Sequence, residues 1–389
     1  MRKNTLLIIV FVFLLVGIVV GWIFFFRSRN SENNEPVPGF SMLPTNNSAI
    51  SPKTEVSSAP IPQFLKLWDG EVASPAIASK TIVFFDKTHG VFRSLLPLLD
   101  VFKEGKLSET VFSNTFSIVL SPNYKMSLIG LYQGQTKRFA VFDFQQNLSR
   151  LLPEFVKDAA WSSDSNQLLI NHFEPQQETF YFSTANIDGT KESKILEIRL
   201  TDAVMFYAPK SAILFYQKPA PDLPSERFFN FDLKTKKLTV VDPTSIGPNI
   251  GGFGFDMLPS PSGESIIFSS TDQTGSKLST FVFNLKTNRI VSTKFSTLVQ
   301  KCAWTADSEE IICAYSSQIT QASGLPFEYW KGKIQSNDSF AKFNLRTGEM
   351  KIYAVNSGYD AISLAISPEK DFVVFVNQAD QALYRMSLK

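Results

Sequence analysis

Cys302 and Cys313 are the two cysteines of this 389-residue chain, and they stand symmetrically about the turn residues Asp307 and Ser308. In a simple hairpin such residues face each other. Their Cβ atoms then come close to the separation a disulfide needs, provided the pair is of the non-hydrogen-bonded type. An oxidising compartment outside the cytoplasm permits the bond. The alternative is two small apolar residues packed between sheets, and a register shift of one residue separates them.

Other reactive chemistry is sparse. His89 and His172 are the only histidines, and neither stands at a metal-type spacing or beside a cysteine. Both read as polar loop or strand-end residues. There is no Gly-x-Ser-x-Gly elbow and no phosphate-cradling Gly-Lys-Ser/Thr loop. Ser270-Thr271-Asp272-Gln273-Thr274-Gly275 approaches a sialidase-type Asp-box, but its glycine arrives one residue late and the tryptophan is missing, so it reads as a loop. The run Gly247 to Gly254 reads as a connection between sheets. No catalytic set, cofactor site or metal site is expected. With 38 basic against 36 acidic residues and a net charge of +2, the chain has no global field to draw nucleic acid, and the basic cluster Lys234, Lys236 and Lys237 reads as a solvated turn.

The elements that position these residues are short. Runs of four to six Val, Ile and Phe residues recur, bounded by Ser, Pro, Asp, Gly or Asn, which is the pattern of strands and turns. No stretch after Phe26 sustains a helical period. Aligning the turns exposes a repeat. Ala160-Trp161-Ser162-Ser163-Asp164-Ser165 leading into Leu168-Leu169-Ile170 parallels Ala303-Trp304-Thr305-Ala306-Asp307-Ser308 leading into Ile311-Ile312-Cys313. Weaker copies surround Pro122, Pro261 and Pro368, and a divergent one surrounds Pro209. Each is followed by a strand that usually ends in Asp or Asn, as at Asp143, Asp232, Asn284 and Asn344.

Anchors at 122, 163, 209, 261, 306 and 368 give spacings of 41, 46, 52, 45 and 62 residues. Such spacings belong to β-propeller blades of about four strands, with an insertion in the longest unit. A further unit precedes Pro122, and the last one ends a strand short at Leu388. Gln63 to Leu67 supplies the missing outer strand. The expectation is an all-β fold, a single propeller of seven four-stranded blades, six or eight being the alternatives, whose two ends share one blade.

The structural residues of these turns, Trp161, Asp164, Trp304, Asp307, Pro122, Pro261 and Pro368, resemble the Trp-Ser-Pro-Asp-Gly repeats of TolB-like propellers. The resemblance covers most of residues 70–389 and implies the fold. This chain departs from the pattern where Pro is absent at 163 and 306 and where only Gly263 fills the turn-glycine position. TolB itself is a soluble periplasmic member of a cell-envelope complex, with an extra domain where this chain has an apolar segment.

That segment is Leu6 to Phe26, 21 residues without a charge. At about 1.5 Å per helical residue it crosses the roughly 30 Å hydrocarbon core of a bilayer. It exceeds the h-region of a signal peptide and runs into Trp22 to Phe26, then Arg27 and Arg29, with no small-residue cleavage site. The expectation is a short cytoplasmic N-terminus (1–5), a transmembrane helix (6–26), a disordered Ser/Asn/Pro-rich linker (27–60) and the propeller (61–389) outside the cytoplasm. A rigid ring on a tether suits a platform for an envelope protein or a surface polymer. A propeller enzyme acting on a small molecule or glycan, with residues gathered at the central channel from several blades, is the alternative.

Overall fold

The alternating β-branched and aromatic runs fold into seven four-stranded antiparallel sheets. The computed structural model describes residues 63–98, 101–209, 212–220, 227–242, 250 and 252–389. The expected membrane helix and linker lie outside the described residues, as does half of the Gly247 to Gly254 run. Among the described residues no helix is long and apolar enough to cross a membrane. The compact unit that contains the sheets runs from Pro60 to Lys389.

The innermost strands of blades 1 to 7 are Val72–Ala78, Thr115–Leu120, Val156–Trp161, Ala203–Ala208, Phe253–Pro259, Cys302–Trp304 and Ala361–Ile366. Each of the first six blades continues outward in sequence order. Blade 7 is completed from the other end of the chain, because Phe64–Trp68 pairs antiparallel with Leu383–Ser387 in the register Phe64 with Met386 and Lys66 with Tyr384. The Phe64 ring then lies 5.0 Å from that of Tyr359 and 5.9 Å from that of Phe340.

Apolar packing follows from the ring. Seven clusters of buried side chains each draw on two neighbouring blades, blade 7 and blade 1 included. Phenylalanine supplies much of the contact, as in Phe92 with Phe142, Phe182 with Phe215, Phe228 with Phe255 and Phe340 with Phe375. Stability is therefore spread over seven interfaces, with no single centre.

The repeat turns share one hydrogen-bond scheme. Ser162 Oγ donates to Asp164 Oδ1 over 2.6 Å and accepts from Gln167 N over 2.9 Å, and Thr305 Oγ1 does the same with Asp307 (2.6 Å) and Glu310 N (3.1 Å). The consensus glycine position has φ of +62° at both Ser165 and Ser308, which explains why glycine is favoured there. Serine gains an interaction in exchange. Its hydroxyl accepts from the turn of the preceding blade, Ser165 from Asn123 N (3.0 Å) and Ser308 from Ser262 N (2.9 Å). Asp143, Asp232, Asn284 and Asn344 each accept two backbone N–H groups with one side-chain oxygen, which closes the outer hairpins.

The insertion expected from the 62-residue spacing is residues 316–338, between the second and third strands of blade 6. It carries two four-residue helices, Ser317–Thr320 and Phe327–Trp330, the only α-helical turns among the described residues.

Candidate functional site

The innermost strands begin at one end of the ring, where the connectors from each preceding blade and the loops between second and third strands also lie. On this leading face the innermost strands of blades 1, 2, 3, 5 and 7 break register near their first residues. A bulge there turns side chains away from the regular pleat, a device common at the rims of closed sheets.

Two of these bulges place a carboxylate. Asp158 of blade 3 and Asp256 of blade 5 each accept the next residue's N–H over 2.9 Å. Tyr216 of blade 4 donates its hydroxyl to Asp256 Oδ1. Burial raises the Asp158 carboxyl to about 6, and the Ala159 N–H and the Lys218 charge oppose that rise. Asp256 is raised for the same reason, against its Tyr216 bond and again Lys218. Three blades thus bring two reluctant acids within the field of one ammonium. The sequence held no local sign of this, since the three residues are spread over about 100 positions.

A second polar cluster lies beneath the insertion. Lys301 is fully buried, and its ammonium donates to Asp338 Oδ2 (2.7 Å), Asp360 Oδ1 (2.7 Å), Ser336 Oγ (3.0 Å) and Ala361 O (3.2 Å). Tyr329 donates to Asp360 Oδ1 over 2.5 Å, and Ser336 bonds to both carboxylates. Burial raises the Asp338 carboxyl, with Lys301 pulling against it. Every charged group here has its partners inside the protein, so the cluster acts as a clasp that holds the insertion on blades 6 and 7. The insertion also reaches blade 5. Gly254, at φ +59°, has no room for a Cβ because Pro326 Cδ would lie 2.7 Å from it. Leu278, Leu298, Ile319, Leu325 and Tyr329 form a small core under it.

The third feature is a cleft of about 350 Å³ in blade 3, within the range of small-molecule sites, lined by Phe155, His172, Phe173, Glu174, Tyr181 and Glu192 among others. His172 is only 4% exposed, unlike the loop or strand-end residue expected from sequence. It pairs in register with Tyr181 and stacks on it at 4.9 Å with 13° between planes. Its Nε2 lies 2.6 Å from Glu192 Oε1 without the alignment of a hydrogen bond. Burial lowers the imidazole's proton affinity, and the Glu192 and Glu174 charges oppose that fall.

The remaining residues singled out by sequence take structural places. Cys302 and Cys313 face each other in register, with Cα atoms 4.1 Å apart and sulfurs bonded at 2.10 Å, inside the cluster between blades 5 and 6. The indoles of Trp161 and Trp304 donate to Val119 O (2.9 Å) and Leu258 O (3.0 Å) of the preceding blade. Asp164 and Asp307 order their turns. Pro122, Pro261 and Pro368 occupy the matching turn positions of blades 2, 5 and 7. Asp272 folds its own loop by accepting from Thr274 N and Ser276 N. His89 Nδ1 meets Asp86 Oδ2 at 2.7 Å, beside Arg93. Among the described residues no three ligating side chains converge to hold a metal ion.

This geometry defines a closed seven-bladed β-propeller. No protein-family model and no curated protein sequence matches the chain. Solved structures do. The chain is similar to oligogalacturonate lyase from Vibrio parahaemolyticus, at 12% identity and a TM-score of 0.57 over 85% of this chain and 92% of that one. It is similar to an oligogalacturonate lyase in complex with manganese, at 13% identity and a TM-score of 0.55 over 84% and 90% of the two chains. The β-propeller domain of the Trilobed protease from Pyrococcus furiosus, described as having an open velcro topology, matches at 11% identity and a TM-score of 0.53 over 82% and 96%. At these identities the likeness establishes the fold alone.

Proposed function

We propose that the chain is a membrane-tethered propeller, held outside the cytoplasm by residues 6–26, whose leading face binds an envelope protein or a surface polymer. One observation carries this reading. Val111, Phe116, Tyr132, Phe155, Trp330 and Val355 are large apolar side chains left exposed, and all lie on strand ends or connectors of the leading face. They come from blades 2 and 6 and from connectors into blades 2, 3 and 7. Exposed aromatic side chains gathered at one face of a rigid ring are what a recognition surface requires. The test is capture from native membranes with the full-length chain, comparing wild type with the combined variant Tyr132→Ser, Phe155→Ser and Trp330→Ser. Loss of the captured material supports the reading. Unchanged capture by a variant that melts like wild type overturns it.

A second reading rests on Asp158, Lys218 and Asp256. Two raised carboxyls on the innermost strands of blades 3 and 5, within the field of the Lys218 ammonium, offer a proton donor and an acceptor at once, the pairing a channel enzyme acting on a glycan or small molecule needs. Turnover of a glycan that vanishes in Asp158→Asn, with binding kept, would favour it over the platform.

A further inference from the structure

The outer hairpins of blades 4, 5 and 6 repeat one motif. Asp232-Leu233-Lys234-Thr235, Asn284-Leu285-Lys286-Thr287 and Asn344-Leu345-Arg346-Thr347 each join a third strand to a fourth. Leu285 and Leu345 donate their N–H groups to Glu264 O (2.9 Å) and Glu309 O (3.0 Å), in the first turns of their own blades. The hairpins therefore lie where the innermost strands finish, at the end of the ring opposite the leading face. In blade 7 the two ends of the propeller take that same place: Leu388 N donates to Asp371 O (2.9 Å), and Gln63 O accepts from Ser387 N (2.9 Å). The chain thus enters the ring on the side of these hairpins.

Their charge is one-sided. Lys234, Lys236, Lys237, Lys286, Arg289 and Arg346 are exposed, against Asp232 and Glu349. Among the described residues none of the six cations forms an ion pair. Asp232 is committed to its turn, accepting from Lys234 N and Thr235 N, and the uncharged Asn284 and Asn344 do the same work in blades 5 and 6. The fourth strands that leave these hairpins add an apolar surface, for Leu238, Val240, Val291 and Ile352 are 40–52% exposed.

We propose that this arc of blades 4 to 6 rests on the anionic lipid surface of the bilayer that holds residues 6–26, an inference that builds on the tether reading. Cations beside aliphatic side chains match headgroups over acyl chains, whereas a soluble polyanion would leave the aliphatic surface in water. The leading face is then turned away from the membrane, toward its partner.

The test uses the full-length chain in nanodiscs of phosphatidylcholine, with or without phosphatidylglycerol. Brief treatment with acetic anhydride is followed by mass spectrometry of each lysine. Acetylation of Lys234, Lys237 and Lys286 should slow about fivefold or more in the anionic discs, and the protection should vanish at about 0.5 M salt. Lys137 and Lys157, on the leading side, should label alike in both. The double variant Lys286→Glu and Arg289→Glu, melting like wild type, should free Lys234 and Lys237 in the anionic discs. Equal labelling in the two discs, or protection that survives the double variant, overturns the proposal. Protection by soluble polyphosphate in the zwitterionic discs, as strong as that by anionic lipid, overturns the bilayer as partner. A chain that does not enter the zwitterionic discs counts against the tether alone. Anionic vesicles added to that chain at low salt must still protect the same lysines, and their failure to do so overturns the lipid contact too.

Discussion

The indole nitrogen of Trp304 donates to the carbonyl of Leu258, 3.0 Å away and one blade earlier, and Trp161 repeats the bond to Val119 three blades before. The tryptophan of the repeat is thus a rivet between adjacent blades as well as an apolar wedge.

Replacing Trp304 with Phe keeps most of the apolar contact and removes the donor. The Leu258 carbonyl is left short of a partner, at a cost of about 1–3 kcal/mol. Thermal or denaturant unfolding of Trp304→Phe should show that loss, and a change below about 0.5 kcal/mol would mean that water replaces the indole.

Lys301 holds two buried carboxylates, so Lys301→Met should be far more damaging than a surface lysine substitution. Leaving Asp338 and Asp360 unpaired costs roughly 3–5 kcal/mol. Adding Asp338→Asn and Asp360→Asn to Lys301→Met should restore part of it. Failure of the triple variant to recover any stability would show that hydrogen bonds, and not charge, hold the insertion down.

Asp158 gives a pH dependence of determined sign. Its carboxyl sits at about 6 in the folded state, above the ordinary 3.8, so the folded protein holds this proton more tightly than the unfolded chain. Its penalty is full above pH 6 and is relieved as pH falls from 6 toward 4. Asp158→Asn should therefore stabilise the protein by about 2–3 kcal/mol at pH 7.5 and by only about 1 kcal/mol at pH 4.5. Acids with the opposite sign act lower down. Burial works to raise Asp307, but its bonds to Lys370 and Thr305 prevail and hold it at about 2, so its contribution fades only below about pH 4. A flat difference between wild type and Asp158→Asn across pH 4.5–7.5 would contradict the assignment.

The bond between Cys302 and Cys313 spans a sequence separation of 11 residues. A loop this short gains roughly 3 kcal/mol at most from restricting the unfolded chain. Reduction should lower the melting temperature by a few degrees and leave the transition cooperative. Mass spectrometry of non-reduced tryptic peptides from native membranes should show the crosslinked pair, and two freely alkylated thiols would place this region in a reducing environment.

Much of this ring was legible in the sequence because its repeat is written in local chemistry. The Ser or Thr with Asp turns, the strand-ending Asp and Asn, and the 62-residue spacing all act within a few residues of themselves, so spacing alone located seven blades, the closing strand and the insertion. The candidate sites were hidden for the opposite reason. Lys301, Asp338 and Asp360 come from separate connectors, and Asp158, Lys218 and Asp256 come from three blades. His172 looked like an ordinary strand-end residue because its burial depends on Tyr181 across the ladder and on the connector at Pro153 to Phe155. Ser165 and Ser308 looked like departures from a glycine rule until their hydroxyls proved to join neighbouring turns.

The closing strand has a mechanical meaning. Any pull transmitted along the chain from residues before Gln63 enters the ring at Phe64–Trp68, the outermost strand of blade 7, which is joined to Leu383–Ser387 by ladder bonds and by the Gln63 carbonyl that accepts from Ser387 N. Antiparallel ladder bonds at a strand end give way one after another, whereas the interfaces between blades must slide as whole surfaces. Tension would therefore strip this strand first and spare the other six blades. The ring carries its own fuse at the point where load arrives, and it can be reset when the same five residues zip back.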